Sequence, residues 1–257
     1  MRRATTHLFL HFTGREIRAR FADSSLGLLW ALIGPLLLLA IYAFVFGQLF
    51  KQRSDALGTD SYALFVALAL WPWMMFADGV TRGMQSIQSN ASLVKKVAFP
   101  HLLLVGAAVT AAFALHLLGY VGVLVALALA GAPIKLSGLP VAVVCLLILY
   151  VLTLGVASLL AALQTMVRDV EQAVNPAIMM LHYLTPVLYP ITLIPEAYRH
   201  WLNWNPLAGL ISAIREALLN GASPSFGDGG PLLAAVVLFC AGTWVFTRLS
   251  PYFEDFL

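Results

Sequence analysis

The stretch PVAVVCLLILYVLTLGVASLLAALQTM (Pro140–Met166) is 27 residues long and contains no charged side chain. As an α-helix it would be about 40 Å long, whereas the hydrocarbon core of a bilayer is about 30 Å thick. A backbone in lipid must pair its own hydrogen-bonding groups, and a helix does so. We therefore predict a transmembrane helix, with Gly155, Ala157 and Ser158 as small residues suited to close helix packing.

The rest of the chain has the composition of an integral membrane protein. Hydrophobic residues make up 61% of the 257 residues and charged residues 11%, with a mean hydropathy of +0.88. A soluble domain has about twice that share of charge. Five further apolar runs are candidate spans: Leu26–Phe50, Ser61–Ala77, Leu102–Ala130, Val174–Tyr189 and Pro231–Leu249. We predict an all-α integral membrane protein, a single domain over residues 1–257, with six transmembrane helices.

The distribution of Lys and Arg predicts the orientation of these helices, because cytoplasmic segments collect basic residues. A cytoplasmic N-terminus places ten of them inside: Arg2, Arg3, Arg15, Arg18, Arg20, Arg82, Lys95, Lys96, Arg168 and Arg248. Five fall outside: Lys51, Arg53, Lys135, Arg199 and Arg215. Both termini are therefore expected in the cytoplasm. The first apolar run starts too late and is too long for a signal peptide, so we expect the N-terminus to be retained.

An amphipathic helix is predicted ahead of the first span, over residues 5–23. Within HLFLHFTGREIRARF, the apolar residues Leu10, Ile17 and Phe21 share one side, and the basic positions are Arg15, Arg18 and Arg20. A basic amphipathic helix next to a spanning helix is typical of one that lies in the cytoplasmic membrane interface. The alternative is an ordinary basic flank of the first span.

Motifs for catalysis, nucleotide binding and metal binding are absent from the sequence. No lysine is followed by Ser or Thr, as a G-x-x-x-x-G-K-[ST] phosphate loop requires, and there is no H-E-x-x-H, G-x-S-x-G or zinc-spaced Cys/His cluster. Asp78 is expected to pair with Arg82 four residues on, and His116 to be a hydrogen-bonded packing residue. We expect neither an enzyme nor a bound cofactor or metal.

The connection between the second and third predicted spans, QSNASLVKKVAFPH (Gln88–His101), has the pattern of a short cytoplasmic helix. Asn90 or Ser92 can cap this helix and Pro100 ends it. Its apolar positions are Leu93, Val94 and Val97, and its basic positions are Lys95 and Lys96. A second charged turn, RDVEQAVNP (Arg168–Pro176), follows the fourth span on the same side. Such elements can dock a soluble partner, or they are simple solvated connectors.

Four stretches, in this order, resemble motifs of the membrane subunit of ABC-2-type polysaccharide exporters. RFADSSLGLLWALIGPLL (Arg20–Leu37) resembles the entry into the first span of that family, and NASLVKKVAFP (Asn90–Pro100) resembles its coupling helix. VRDV (Val167–Val170) resembles the turn after the fourth span. TPVLYPITLIP and NPLAGLISAIREALLNG, within residues 185–221, resemble the region before the last span.

The resemblance implies a homodimer in the bacterial inner membrane, working with two copies of a separate ABC ATPase that binds the ATP and Mg. The implied cargo is a lipid-linked polysaccharide such as O-antigen. The residues it assigns to ATPase coupling are Asn90, Leu93, Val94, Lys95, Lys96, Phe99 and Pro100, with Arg168 and Asp169 as secondary contacts. Membrane lipids are expected as further partners and nucleic acid is not. The alternatives are an ABC-2-type small-molecule or drug exporter and, from another class, an ATP-independent channel subunit.

The stretch TPVLYPITLIPEAYRHWLNWNP (Thr185–Pro206) is apolar, yet each of its four prolines removes a helix hydrogen-bond donor. Irregular backbone at membrane depth is tolerated where it lines a cavity. The resemblance implies periplasmic re-entrant helices between spans five and six, in a gate region of residues 190–221. The candidate gate residues are Tyr183, Tyr189, Pro190, Pro195, Trp201 and Trp204. Their aromatic rings either contact sugar or form an interfacial belt. Arg215 and Glu216 are expected along the outer membrane face.

Overall fold

The computed structural model describes residues 2–20, 26–45, 61–202, 204–221 and 229–257, and all regular structure within these ranges is helical. The α-helices are α1 (Arg2–Ala19), α2 (Trp30–Tyr42), α3 (Tyr62–Gln85), α4 (Ala91–Lys96), α5 (Leu102–Leu129), α6 (Leu139–Met166), α7 (Val170–Leu184), α8 (Glu196–Leu202), α9 (Pro206–Asn220), α10 (Gly230–Leu249) and α11 (Phe253–Phe256). The all-α prediction is confirmed over these ranges. Residues 21–23 of the predicted interface helix, residues 46–50 of the first predicted span, and Lys51 and Arg53 lie outside them.

Four helical segments are long and apolar enough to cross a membrane: Tyr62–Gln85, Leu102–Leu129, Leu136–Met166 and Gly230–Phe256. They coincide with four of the six predicted spans. The first predicted span contains α2, which has 13 residues as described, and the fifth overlaps α7, which has 15 and begins four residues before that span. At about 1.5 Å per residue, α7 is only about 22 Å long. The count of six spans therefore stays a prediction.

Helix α3 forms the centre of the bundle. Its residues from Leu64 to Trp71 are fully buried or nearly so, and it packs against α5, α6 and α9. A helix that is apolar on all sides is stable only when other elements surround it. Ser61 begins this helix, because its hydroxyl oxygen accepts a hydrogen bond from the backbone N–H of Leu64 at 3.3 Å.

Glycines allow the helices around α3 to pack with their backbones in contact. A Cβ atom on Gly242 of α10 would lie 2.0 Å from the carbonyl oxygen of Gly155 in α6, and a Cβ on Gly155 would lie 2.5 Å from the backbone of Leu238. A Cβ on Gly83 of α3 would lie 2.6 Å from the Cβ of Ala157. The predicted role of Gly155 and Ala157 in close packing is therefore confirmed.

Helix α1 lies against α5. Phe12 is buried in a second apolar cluster with Val105 and Phe253, and the ring of Phe9 faces Gly106. Leu10 is 62% exposed on the opposite side of α1. The helix therefore packs one apolar face on the protein and presents another apolar residue outward.

Helix α9 differs from its prediction as a surface helix. Glu216 is exposed, as expected for the outer face, but Arg215 is only 6% exposed and the helix is buried on most sides. Its C-terminal end reaches the loop before α6, because the backbone N–H of Lys135 donates to the carbonyl of Leu218 at 2.8 Å. Gly221 ends the helix with a φ of 68°, a value that favours glycine.

Candidate coupling surface and gate

The coupling segment, residues 88–101, forms the short helix α4 as predicted. Lys95, Lys96 and Pro100 are exposed on it, whereas Leu93 and Phe99 are half-buried. The remaining two predicted coupling residues, Asn90 and Val94, are 8% and 1% exposed. The exposed surface of the segment therefore carries both lysines beside Val97, which was predicted on the apolar side but is 49% exposed. The inner surface belongs to the apolar core of this chain.

Asn90 fixes the start of α4 to α1 and α3. Its side-chain amide donates to the carbonyl oxygen of Ser86 at 2.8 Å, and its Oδ1 accepts a hydrogen bond from the Arg15 guanidinium. Of the three arginines predicted in the interface helix, Arg15 thus points to the coupling segment. Arg18 is exposed, and Arg20 follows the last turn of the helix.

Arg20 is part of an ion cluster around Asp78, within α3. The Arg20 Nη1 atom donates to Asp78 Oδ2 at 2.6 Å, and Arg82 Nε donates to Asp78 Oδ1 at 2.8 Å. His116 Nε2 lies 3.2 Å from Asp78 Oδ2. The predicted pair of Asp78 with Arg82 and the predicted hydrogen-bonded packing of His116 are confirmed. The contact between Asp78 and Arg20 connects the end of α1 to α3.

An amide–carboxylate network joins the coupling segment to the turn at Arg168–Pro176, and both were predicted on the cytoplasmic side. Glu171, at the start of α7, accepts hydrogen bonds from Gln85 Nε2 at 2.6 Å and from Gln164 Nε2 at 3.0 Å. Gln88 Nε2 donates to the Gln164 carbonyl oxygen at 2.9 Å. The coupling segment is therefore bonded to the turn that carries Arg168 and Asp169, and both of those residues are exposed.

The C-terminal segment, residues 250–257, packs against the coupling segment. The rings of His101 and Phe253 stack at 6.2 Å, and Phe253 is fully buried. His101 Nδ1 lies 3.1 Å from the Ser250 hydroxyl oxygen. Burial lowers the pKa of His101, with an opposing contribution from Glu254, so the packed arrangement favours the neutral imidazole.

A cavity of about 780 Å³ lies beside the gate segment, residues 185–206. One wall comes from the middles of long helices, with Phe76, Leu152, Val156 and Leu238. The other comes from α7 and the gate segment, including Tyr189, Tyr198, Trp201 and Trp204. Leu152 is about 20 Å from either end of α6 by helical rise. The gate segment therefore lies beside the centre of the helical bundle.

The six predicted gate residues occupy different surroundings. Tyr189, Trp201 and Trp204 line the cavity, and the latter two are 67% and 85% exposed. Pro190 is buried and Pro195 is exposed. Tyr183 is 57% exposed on α7, and its carbonyl oxygen accepts a hydrogen bond from the Tyr189 hydroxyl at 2.7 Å. The structure therefore brings three of the six together.

Arg215 was not predicted as a site residue, yet it connects the gate segment to α3. Its Nε donates to the carbonyl oxygen of Phe65 at 3.1 Å, and its Nη2 donates to the carbonyl oxygen of Val187 at 2.8 Å. The guanidinium carbon lies 3.6 Å from the centroid of the Phe65 ring. The sequence did contain a signal, because Ile211, Ile214 and Leu218 lie four before, one before and three after Arg215, and therefore surround it on a helix.

The residues described here contain no group of three or more His, Cys, Asp or Glu side chains placed to hold a metal ion. The structure consists of packed helices of spanning length. At one end of the bundle, the charged turns between these helices are hydrogen-bonded to one another. That is the architecture of a multi-pass membrane protein. The sequence matches the model of the ABC-2 type transporter family over residues 7–219, so the chain belongs to that family.

Several curated proteins are similar to the chain along most of its length. An O-antigen export system permease protein RfbA from Klebsiella pneumoniae is 30% identical over 254 residues, which cover 97% of this chain and 95% of that protein. RfbA from Myxococcus xanthus is 27% identical over 96% of this chain and 94% of its own length. The polysialic acid transport protein KpsM from Escherichia coli is 23% identical over 80% of this chain and 79% of its own length.

Proposed function

We propose that this chain is the membrane-spanning subunit of an ATP-driven exporter that moves lipid-linked polysaccharide, O-antigen or a similar glycan, across the bacterial inner membrane. The observation that carries the proposal is the similarity to O-antigen export permeases over 97% of the chain. The chain contains no phosphate-loop motif, so nucleotide hydrolysis is assigned to a separate ABC ATPase, present in two copies.

The ATPase docks on the exposed side of the coupling segment in this proposal. Lys95 and Lys96 offer positive charge there. Arg168 and Asp169 lie on the turn just before Glu171, which accepts a hydrogen bond from Gln164, and Gln164 in turn accepts one from Gln88 of the coupling segment. Movement of the docked ATPase would then reach α3 by two routes, through Gln85 and through the contact of Asn90 with the Ser86 carbonyl. The buried coupling residue Val94 would transmit movement to α5 through the apolar core.

Homodimerisation is supported by two helices with unpartnered apolar faces. Helix α2 exposes Ile33 and Leu37, Phe44 is exposed just beyond its end, and α7 has no buried residue at all. Met180 and Tyr183 of α7 are each more than half exposed. Contiguous exposed apolar surface marks an interface or a lipid contact. We assign these faces to the second copy of the chain and to the channel between the copies.

The six-span topology with both termini in the cytoplasm belongs to the same proposal. Lys95 and Arg168 occupy connections at one end of the bundle, and Lys135 occupies a connection at the other. The gate segment would re-enter the membrane from the periplasmic side. The position of the cavity supports this placement, because Trp201 lines it together with Leu152 from the middle of α6. The C-terminal end of α9 then reaches the loop before α6.

The proposal is tested in cells that lack this subunit, by expressing the chain with its neighbouring ATPase. We expect the two proteins to co-purify, ATP hydrolysis to depend on both, and surface glycan to be restored. A chain that neither binds the ATPase nor supports hydrolysis would be a channel or a structural subunit. Normal ATP-driven efflux of small molecules without restored surface glycan would identify a drug exporter instead.

A further inference from the structure

One face of the C-terminal segment is anchored beside the coupling segment. Phe253 is fully buried, and the centroid of its ring lies 6.2 Å from that of His101 and 5.2 Å from that of Phe246. Leu257, about one helical turn later, packs against the same apolar cluster, and its backbone N–H donates to the Phe253 carbonyl oxygen at 3.2 Å. Helix α11 contacts α4 directly. The C-terminal segment is therefore held in a defined position next to the coupling helix.

The other face of the C-terminal segment presents aromatic and acidic side chains. Tyr252 and Phe256 are 56% and 50% exposed. Glu254 and Asp255 are exposed between them. Among the residues that the structure describes, neither carboxylate lies within ion-pair distance of a basic side chain. An aromatic surface with negative charge thus lies beside the basic surface of the coupling segment.

The chemistry of this face fits a protein better than a membrane. The helical segment Gly230–Phe256 would be about 40 Å long, whereas the hydrocarbon core is about 30 Å thick, so its charged end extends beyond the core. Anionic lipids of the cytoplasmic leaflet attract basic segments and repel carboxylates. Tyrosine and phenylalanine are enriched in protein–protein interfaces. Aromatic residues together with two carboxylates therefore indicate a protein partner with basic residues.

We propose that the C-terminal segment forms part of the docking site of the ATPase and that Glu254 and Asp255 face basic side chains of that partner. The inference rests on the proposed function, which places the ATPase on the coupling segment. A specific interface covers about 20–30 residues on each partner, whereas α4 has six, so the docking site must continue onto neighbouring elements. Helix α11 is such a neighbour. Adjacent positive and negative surfaces also fix the orientation in which a partner can dock.

Photocross-linking in the purified complex of the chain and its ATPase tests the proposal. Tyr252 and Phe256 are replaced in turn by p-benzoylphenylalanine, and we expect cross-links to the ATPase from both positions. The same replacement at Lys96 reports on the docking site of the proposed function. Trp244 of α10, which is 68% exposed two helical turns before the C-terminal segment, is the control and should not cross-link to the ATPase.

Charge reversal measures the contribution of the two carboxylates. Charges at an interface mainly change the association rate, so with Glu254→Lys and Asp255→Lys together we expect ATPase to bind the chain in nanodiscs about tenfold more slowly at low salt. High salt should reduce the difference, because it screens exposed charges. Asp255→Lys alone, which leaves Glu254 beside His101, should give part of the effect. Glu216→Lys, an exposed reversal at the opposite end of the bundle, should give none. Unchanged midpoints of thermal unfolding check that the variants are folded.

The outcomes separate this inference from the proposed function. Cross-links to the ATPase from Lys96, but not from positions 252 and 256, would remove the inference and leave the proposed function standing. Cross-links from positions 252 and 256 only to lipid, or only to a second copy of the chain, would also overturn it. No cross-link to the ATPase from any of the three positions would overturn both. An association rate unchanged by the double reversal would remove the carboxylates from the interface.

Discussion

The burial of Arg215 was not predicted from the sequence. A charged residue in an amphipathic stretch is expected at a surface, yet this one is buried and binds two carbonyl oxygens of segments far away in sequence. Val187 lies 28 positions before it and Phe65 lies 150 positions before it. Helical periodicity can show that a residue has apolar neighbours, but it does not say which carbonyl groups will meet it. The pairing is a property of the packed fold.

Replacing Arg215 with Met should loosen the gate segment with little loss of overall stability. Hydrogen bonds to a charged group contribute about 1.5–3 kcal/mol each, but removing a buried charge also removes its desolvation cost. The Val187 carbonyl would lose its partner, so we expect faster hydrogen–deuterium exchange in peptides that cover residues 185–190. Glu216→Gln, at the exposed neighbouring position, is the control. Unchanged exchange in Arg215→Met would mean that Arg215 does not hold this segment.

Only part of the ion cluster around Asp78 could be predicted from the sequence. The pair with Arg82 is local, one helical turn away, and its geometry follows from the helix itself. Arg20 is 58 positions from Asp78 and His116 is 38 positions away. Their meeting depends on how α1, α3 and α5 pack, so only one of the three partners of the carboxylate could be predicted as an ion pair.

Among the elements, α6 and α10 are two spanning helices whose backbones touch. Gly155 and Gly242 allow backbone to touch backbone, and the predicted importance of small residues in α6 follows from the same physics. Without a strong hydrophobic force between helices in lipid, such dispersion contacts contribute much of the association.

Gly242→Ala should therefore destabilise the protein. Alanine is favoured over glycine in a helix by about 1 kcal/mol, but its Cβ would lie 2.0 Å from the Gly155 carbonyl oxygen. Overpacking of this kind costs about 1–3 kcal/mol, so we expect a lower midpoint of thermal unfolding in detergent. Gly230→Ala is the matched control on the same helix, since its Cβ would meet nothing within 4 Å. A midpoint that rises equally in both variants would contradict the close contact.

The C-terminal segment should be bound less firmly to the coupling segment in acid. The pKa of His101 is lowered in the packed state below its free value of about 6.5, so protonation favours the detached state. Packing is then fully stable above about pH 6.5 and weakens as the pH falls from there through the lowered pKa. Limited proteolysis of residues 250–257 at pH 7.5 and pH 5.5 measures this. His101→Gln should remove the difference, and equal cleavage of the wild type at both pH values would exclude it.

At the scale of the whole molecule, the helix ends around the coupling segment form one connected unit. Gln85, Gln88, Gln164 and Glu171 join the ends of α3, α6 and α7 through side-chain hydrogen bonds. Arg15 adds α1 to the same unit through Asn90. A partner that docks on the coupling segment therefore contacts an assembly of helix ends rather than a free loop.

The double substitution Lys95→Glu with Lys96→Glu should weaken ATPase binding without unfolding the chain. Both side chains are exposed and neither packs in the core, so the stability of the subunit should change by less than about 0.5 kcal/mol. We expect less ATPase to co-purify and less glycan to reach the surface. Lys135→Glu, an exposed charge reversal at the opposite end of the bundle, should have neither effect. Normal export by the double variant would remove these lysines from the interface.

The all-helical architecture and four spans could be predicted because length and apolarity decide them in a membrane. A short helix in the coupling segment could be predicted, but its ends were predicted for the wrong reasons: Asn90 precedes α4 without a side-chain capping hydrogen bond, and the helix ends at Lys96, four residues before Pro100. Which helices line the cavity beside the gate segment could not be predicted, because proline marks where regular helix ends but not where the chain then goes. Burial of Val94 likewise depends on α5 and α11, which its local sequence does not reveal.

The internal pair of Asp78 and Arg82 also bears on how the chain is inserted during synthesis. An unpaired carboxylate at the centre of an inserting helix costs about 2.5–3.5 kcal/mol on translocon scales. Arg82 enters with Asp78 in the same helix, and Arg20 has been synthesised 58 residues earlier. Both counter-charges therefore exist before α5 delivers His116. Nascent α3 can leave the translocon with its carboxylate already paired, and its insertion need not wait for α5.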